Sequence, residues 1–134
     1  MEGSLPSKPS ILIAEDDFLI REGCLEPLLE PHFTVVGSVD DGREAVAAAA
    51  KHKPTIVLMD VSLPGIRGFE AARQILAAQP TCKVLFVSNY GENAYREAAK
   101  ELGASGYVLK NRVQNELLLA IETALAGQFY QSAF

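Results

Sequence analysis

Residues 56–65 read IVLMDVSLPG: four apolar residues, one acid at Asp60, a short step, and then Pro64-Gly65. A continuous apolar run, rather than an alternating one, is how a strand covered on both faces of a parallel sheet reads. The acid then stands at the carboxyl end of that strand, and Pro-Gly turns the chain away directly after it. In an open parallel sheet the carboxyl edge is where ligands bind. The stretch therefore predicts a central strand and, at its end, one residue of a site.

Working outward, similar short apolar runs recur at residues 11–14, 33–36, 83–87 and 106–109, so five strands are expected. Between them lie segments with helical spacing: Ile20, Cys24 and Leu28 beside Leu25 and Leu29; residues 45–50; Phe69 with Ile75 and Leu76; Tyr95, Ala98, Ala99 and Leu102; and Leu117, Leu118, Ile121 and Leu125. These predict five amphipathic helices. Pro27 lacks an N–H and its ring opposes the preceding turn, which predicts a kink or an early end in the first helix. Strands alternating with helices require parallel strands and right-handed crossovers, giving an α/β three-layer sandwich around a five-stranded parallel sheet.

A chain of 134 residues has the length of one ordinary domain. Residues 1–9 are rich in Ser, Pro and Gly and read as a flexible tail, 10–127 as the domain, and 128–134 as a C-terminal tail or the start of a linker. No apolar run approaches the roughly 18 residues of a membrane span, and no secretory signal opens the chain, so a soluble cytoplasmic protein is expected, without a membrane partner. Cys24 and Cys82 sit inside apolar patterns and read as small buried hydrophobes. A formal net charge of -5 argues against this chain gripping a phosphate backbone by itself. DNA could be reached only through a domain outside it.

The residues at the carboxyl edge are Glu15, Asp16 and Asp17 after the first strand, Asp60 closing the third, Ser88 and Asn89 after the fourth, and Lys110 after the fifth. Singly, each has a plain structural reading: Asp17 as a helix N-cap, Ser88 as a cap of the following helix, Lys110 as a solvated lysine, Asp60 as a strand terminator. Their joint delivery to one edge by four strands favours a site. Neighbouring carboxylates raise each other's pKa unless a cation compensates them, and an all-oxygen set without His or Cys suits Mg²⁺.

These residues carry a family resemblance. Asp16-Asp17 after the first strand, the turn from Asp60 to Gly65, Ser88 after the fourth strand and Lys110 within GASGYVLK together resemble the receiver domain of two-component response regulators, over residues 11 to about 127. The resemblance implies a flavodoxin-like (βα)5 fold with strand order 2-1-3-4-5. It further implies phosphorylation of Asp60 by a histidine kinase or histidine phosphotransfer protein. Mg²⁺ would be held by Asp17, Asp60, the Ser62 carbonyl and, partly through water, Asp16. Lys110 would pair with a phosphoryl oxygen and Ser88 would donate to another. The domain would catalyse only its own phosphorylation and dephosphorylation. As Ser88 moves toward the phosphoryl group, Tyr107 would turn inward and reshape the surface of helix 4, strand 5 and helix 5; otherwise it is a static, half-buried edge-strand aromatic. Ser62 and Tyr90 flank the path of the hydrolytic water, where many receivers carry an amide or an acid, and are expected to slow dephosphorylation.

The segment after Lys110 lacks the proline that often follows that lysine. With REG in the first helix and the Gly127-Gln-Phe-Tyr ending, it resembles the receivers that precede a LuxR-type helix-turn-helix domain. The chain is then either the receiver part of a transcription regulator or a stand-alone receiver acting by protein contact. Leu119 is either a contact of a homodimer formed on phosphorylation or a single exposed leucine. An aspartate-nucleophile Mg²⁺ phosphatase is disfavoured because Ser62 stands where a second acid is usual. A flavodoxin-like nucleotide binder is disfavoured because EDDFLI replaces a phosphate cradle.

Overall fold

In the computed structural model, which describes residues 8–132, the chain runs through β1 (Ser10–Ala14), α1, β2 (Thr34–Val39), α2 (Gly42–His52), β3 (Ile56–Asp60), α3 (Gly68–Ala78), β4 (Lys83–Ser88), α4 (Asn93–Leu102), β5 (Gly106–Leu109), a 3-10 turn (Lys110–Arg112), α5 (Val113–Leu125) and β6 (Tyr130–Gln131). Helix α1 is composite, with Phe18–Ile20 and Glu26–Leu29 flanking a π-helical stretch, Arg21–Leu25. All neighbouring strands are parallel, in the order β2-β1-β3-β4-β5-β6.

Strand β3 is buried along its whole length, as its sequence predicts. Its side chains alternate between two cores, one on each face of the sheet. Val57 and Met59 join Leu12, Phe86 and Tyr107 beneath α2, α3 and α4. Ile56 and Leu58 join Ile11, Ile13, Leu85 and Val108 beneath α1 and α5. Burying a strand on both faces requires apolar residues at every position, so the period of two disappears from the sequence.

Two expectations are corrected. Among the described residues the sheet has six strands rather than five, because residues expected as a tail or linker supply β6 on the outer edge of β5. An unpaired β5 would present a row of open backbone groups, and the chain covers them with its own next segment. Of the kink or early end expected at Pro27, the early end does not occur: the helix continues to Leu29 and the turn before the proline widens, with Glu26 N donating five residues back to Arg21 O. A proline cannot supply the N–H for the carbonyl one turn earlier and crowds it, and the wider π turn relieves both. Strand β2 also lies later than the expected 33–36, and its register against β1 shifts between Ile11 and Leu12.

Cys82 is buried, which pushes its thiol up to about 11, whereas Cys24 is half-buried. Among the described residues no helix is long and apolar enough to cross a membrane. The expected N-terminal tail lies outside the described residues except for its last two positions.

The β3–α3 loop is held tightly against the sheet. Gly68 N donates to Val61 O at 3.0 Å, and a Cβ at Gly68 would lie 2.2 Å from Asp60 O. A methyl there has backbone on its near side and cannot be absorbed by a rotamer change. Gly68→Ala is expected to destabilise the domain by about 3 kcal/mol, the upper end of the usual overpacking cost, read as a lower urea midpoint at unchanged slope. A midpoint equal to that of the parent chain would show that the loop gives way freely.

Candidate functional site

The parallel register assembles the site. Ala14 is opposite Met59 and Asp60 is opposite Val87, so the residue after Ala14 lies beside Asp60 at the carboxyl edge. That residue is Glu15, 1% exposed, and its backbone N–H donates to Val39 O at 3.0 Å, continuing the sheet pairing past the end of β1. Asp60 itself is 3% exposed. Its Oδ1 accepts from Ser62 N at 3.1 Å, so the turn after the strand also orients the carboxylate.

Lys110 follows β5, two strands away from β3. Its ammonium bridges the two acids, with Nζ 3.0 Å from Glu15 Oε2 and 3.3 Å from Asp60 Oδ2. Burial alone would lower its pKa, but the charges of Asp60 and Glu15 outweigh that and raise it. Glu15 Oε2 additionally accepts from Asp17 N at 3.0 Å. Burial, reinforced by the charge of Asp60, nevertheless pushes the Glu15 carboxyl up to about 7. Asp16 is raised as well, first by desolvation and then by its proximity to Asp60. One lysine thus leaves the acidic group short of positive charge.

Glu15, Asp16 and Asp60 bring carboxylate oxygens within 4.8 Å of one another, and Asp16 is the exposed member. Glu15 Oε1 is buried and has no hydrogen-bond partner among the described residues. An orphaned buried oxygen among mutually repelling carboxylates is what a hard, oxygen-seeking cation would satisfy, so these residues fit Mg²⁺.

Asp17, expected as a ligand, is not in this group. Its Oδ1 accepts from Leu19 N at 3.0 Å and Ile20 N at 3.3 Å, making it the N-cap of α1. The acids gathered beside Asp60 are thus Glu15 and Asp16, one residue earlier in the chain than the expected pair. A signal for this was present in the sequence: an acid directly before a helix is a preferred cap, and the first residue past a strand is the one that continues its register.

Ser88 is 1% exposed and its Oγ accepts from Tyr90 N at 2.9 Å. It does not cap α4, whose N-cap position is Glu92, without a side-chain bond. Tyr107 is fully buried rather than half-buried, with its ring 6.5 Å from that of Phe86 and its hydroxyl donating to Tyr90 O at 2.6 Å. Tyr90, 38% exposed, stacks on Tyr95 at 4.9 Å and receives a bond from the Ser62 hydroxyl at 3.3 Å. The two residues expected from the sequence to flank the path of the hydrolytic water are thus in contact with each other, and Tyr90 also links to Tyr107.

A sequence profile of the response regulator receiver domain matches residues 11–122. The transcriptional regulatory protein DegU of Brevibacillus brevis is 36% identical over 125 residues, covering 92% of this chain and 53% of that protein. The response regulator GacA of Pseudomonas aeruginosa is 37% identical over 123 residues, covering 91% of this chain and 58% of that protein. The chain therefore spans little more than half the length of these relatives. Among solved structures, a LuxR-family two-component response regulator from Aurantimonas superposes with a TM-score of 0.85 at 35% identity, over 92% of this chain and 89% of that one. The signal receiver domain of NarL from Mycobacterium tuberculosis superposes with a TM-score of 0.84 at 31% identity, over 92% of this chain and all of that one. With its acids and lysine gathered at the carboxyl edge of a flavodoxin-like sheet, the chain belongs to the response regulator receiver domain family of two-component systems.

Proposed function

We propose that Asp60 is the phosphoacceptor of this receiver and that Glu15, Asp16 and Asp60 hold Mg²⁺, with the Ser62 carbonyl as a further ligand. The observation that carries this reading is the Lys110 ammonium bridging Glu15 and Asp60 at the edge of the sheet. The donor is a phosphohistidine on a histidine kinase or phosphotransfer protein. A carboxylate oxygen of Asp60 forms the new O–P bond as the P–N bond breaks, and the electron pair returns to the imidazole, which takes up a proton. Mg²⁺, when bound, neutralises charge on the transferring group.

The residues of the chain do the rest. Lys110 pairs with a phosphoryl oxygen, and Ser88, whose Oγ already accepts from Tyr90 N, keeps its proton free to donate to another. Ser62 N holds the orientation of Asp60. The Tyr90 ring, stacked on Tyr95 and tied to Ser62, shields the acyl phosphate from water. Tyr107 in its buried position fills the space behind Ser88 and carries the change to helix α4, β5 and α5. The domain acts as a switch and not as an enzyme with turnover on other molecules.

The relatives' names favour an output in transcription, so the chain acts as the receiver part of a transcription regulator, with DNA contacted by a segment beyond it. A stand-alone receiver working by protein contact, or one that dimerises on phosphorylation through the exposed Leu119 of α5, shares the same site.

Intact mass measured with a small phosphodonor and Mg²⁺ is expected to show one added phosphoryl group on the native chain and none on Asp60→Asn. A gain that persists in Asp60→Asn would place the acceptor elsewhere.

Mg²⁺ titration by calorimetry separates the two acidic pairs. Glu15→Gln and Asp16→Asn are each expected to weaken binding about tenfold, the loss of one charged ligand at roughly 1.4 kcal/mol. Asp17→Asn should leave it unchanged, since Asn also caps helices. The reverse pattern would restore Asp17 as the ligand.

The double variant Ser62→Asn with Tyr90→Glu removes the shield and supplies groups that orient water. Its phosphoryl group should decay about tenfold faster, within the range general base assistance provides. An unchanged decay rate would rule out a role for these positions in lifetime.

A further inference from the structure

Beyond α5 the chain makes a turn at Gly127, φ 86, and runs back along the outer edge of β5. Gly106 pairs with Tyr130 and Tyr107 with Gln131. Tyr130 N donates to Ser105 O and Ser132 N to Tyr107 O, both at 3.1 Å. Side chains then fasten the segment more firmly than two strand residues could. Ser132, 1% exposed, donates its hydroxyl to Glu116 Oε1 at 2.7 Å and accepts from Leu109 N at 3.1 Å. Tyr130 OH donates to the same Glu116 oxygen at 3.0 Å, and Arg96 Nη2 donates to Ser132 O at 2.9 Å. Burial would raise the Glu116 carboxyl, but these hydroxyls and Arg112 more than offset it and hold it below the usual range. Helices α4 and α5 thus each contribute one charged residue that grips Ser132, one on either side of the sheet edge.

Tyr107 is consequently held from two directions. Its hydroxyl bonds Tyr90 O, and Tyr90 N bonds Ser88 Oγ, next to the carboxyl edge where Asp60 lies. Its backbone carbonyl receives Ser132 N. The buried position of Tyr107 and the docked position of the C-terminal segment occur together.

We propose that residues 129–132 are a reversible strap on the outer edge of β5, whose docking is coupled through Tyr107 to the state of Asp60. This rests on the phosphoacceptor reading above and adds its regulation. The strap docks on the arrangement in which Tyr107 is buried behind Ser88, so a phosphoryl group that draws Ser88 toward itself and the docked strap favour the same state. Coupling between sites is reciprocal, so the strap must then strengthen phosphoryl binding by the factor by which the phosphoryl group strengthens strap docking. In a longer protein the strap also lies where the chain would leave the domain, so its release changes how any following segment is held. A strand that merely blunts a sheet edge would be indifferent to Asp60.

The test uses beryllofluoride with Mg²⁺ as a phosphoryl mimic and two readouts, affinity and amide hydrogen exchange. In the full chain, binding is expected to slow exchange at Leu109 and Ser132 about fivefold, and Asp60→Asn should abolish that slowing. Ser132→Pro, which removes both the N–H and the hydroxyl, should weaken beryllofluoride binding by the same factor of about five. Ser132→Ala should weaken it less but in the same direction, and decides the matter should the proline variant lose stability. Gln131→Ala, at an exposed position, should change nothing. Equal affinity in the native chain and both Ser132 variants would overturn the coupling while leaving Asp60 as acceptor. No binding by the native chain would overturn the acceptor reading and the coupling with it.

Discussion

The ammonium of Lys110, lodged between Glu15 and Asp60, is the interaction around which the edge of this domain is built. Two nearly buried carboxylates side by side repel each other and are poorly solvated, and either alone would be a costly buried charge. One cation shared between them makes the pair tolerable without cancelling it, which leaves the Glu15 carboxyl near 7 and one of its oxygens without a partner. The arrangement is thus stable enough to fold and unsatisfied enough to bind. Lys110 can play this part only because its chain is long: it starts two strands from β3, about 10 Å at ordinary strand spacing.

Everything else at the edge keeps that geometry in place. The double-sided burial of β3 fixes where Asp60 emerges, and the sheet register sets Glu15 beside it. The close approach of Gly68 to Asp60 O keeps the following loop flush with the strand end. On the far side, Ser88, Tyr90 and Tyr107 form a connected set of bonds leading from the edge into the core and on to β5. The stacking of Tyr90 on Tyr95 and of Tyr95 on Phe69 at 6.3 Å ties that set to α3 and α4. A change at Asp60 therefore has a contiguous route of packed and bonded groups to the outer edge of the sheet.

How much of this was legible beforehand differs from residue to residue. Asp60, Ser88 and Lys110 could be placed at one edge because each directly ends or follows an apolar run, and the end of such a run is locally marked. Asp17 could not be told from Asp16 or Glu15 in the same way. Their places before a helix and after a strand hint at the division of three successive acids between cap and site, but the register of β1 against β3, which depends on residues far apart in the chain, completes it. The bond from Tyr107 to the carbonyl of Tyr90 likewise joins a position inside β5 to one just beyond β4, and a backbone acceptor leaves no trace in residue type. Strand β6 escaped because two residues carry too short a pattern to register, and the side chains that fasten Tyr130 and the adjoining Ser132 are Glu116 and Arg96 on separate helices.

By itself the amino-acid sequence determined the layers of the fold and the chemistry available at the carboxyl edge. Apolar runs, helical spacing and strand-end residues are local properties, and local spacing is what hydrophobic burial acts on first. The tertiary structure alone decided which acid meets Lys110, how deeply Tyr107 is buried, and that the chain's last described segment pairs along the sheet edge. Those outcomes turn on strand register and on bonds between distant residues, and a one-dimensional pattern does not contain either.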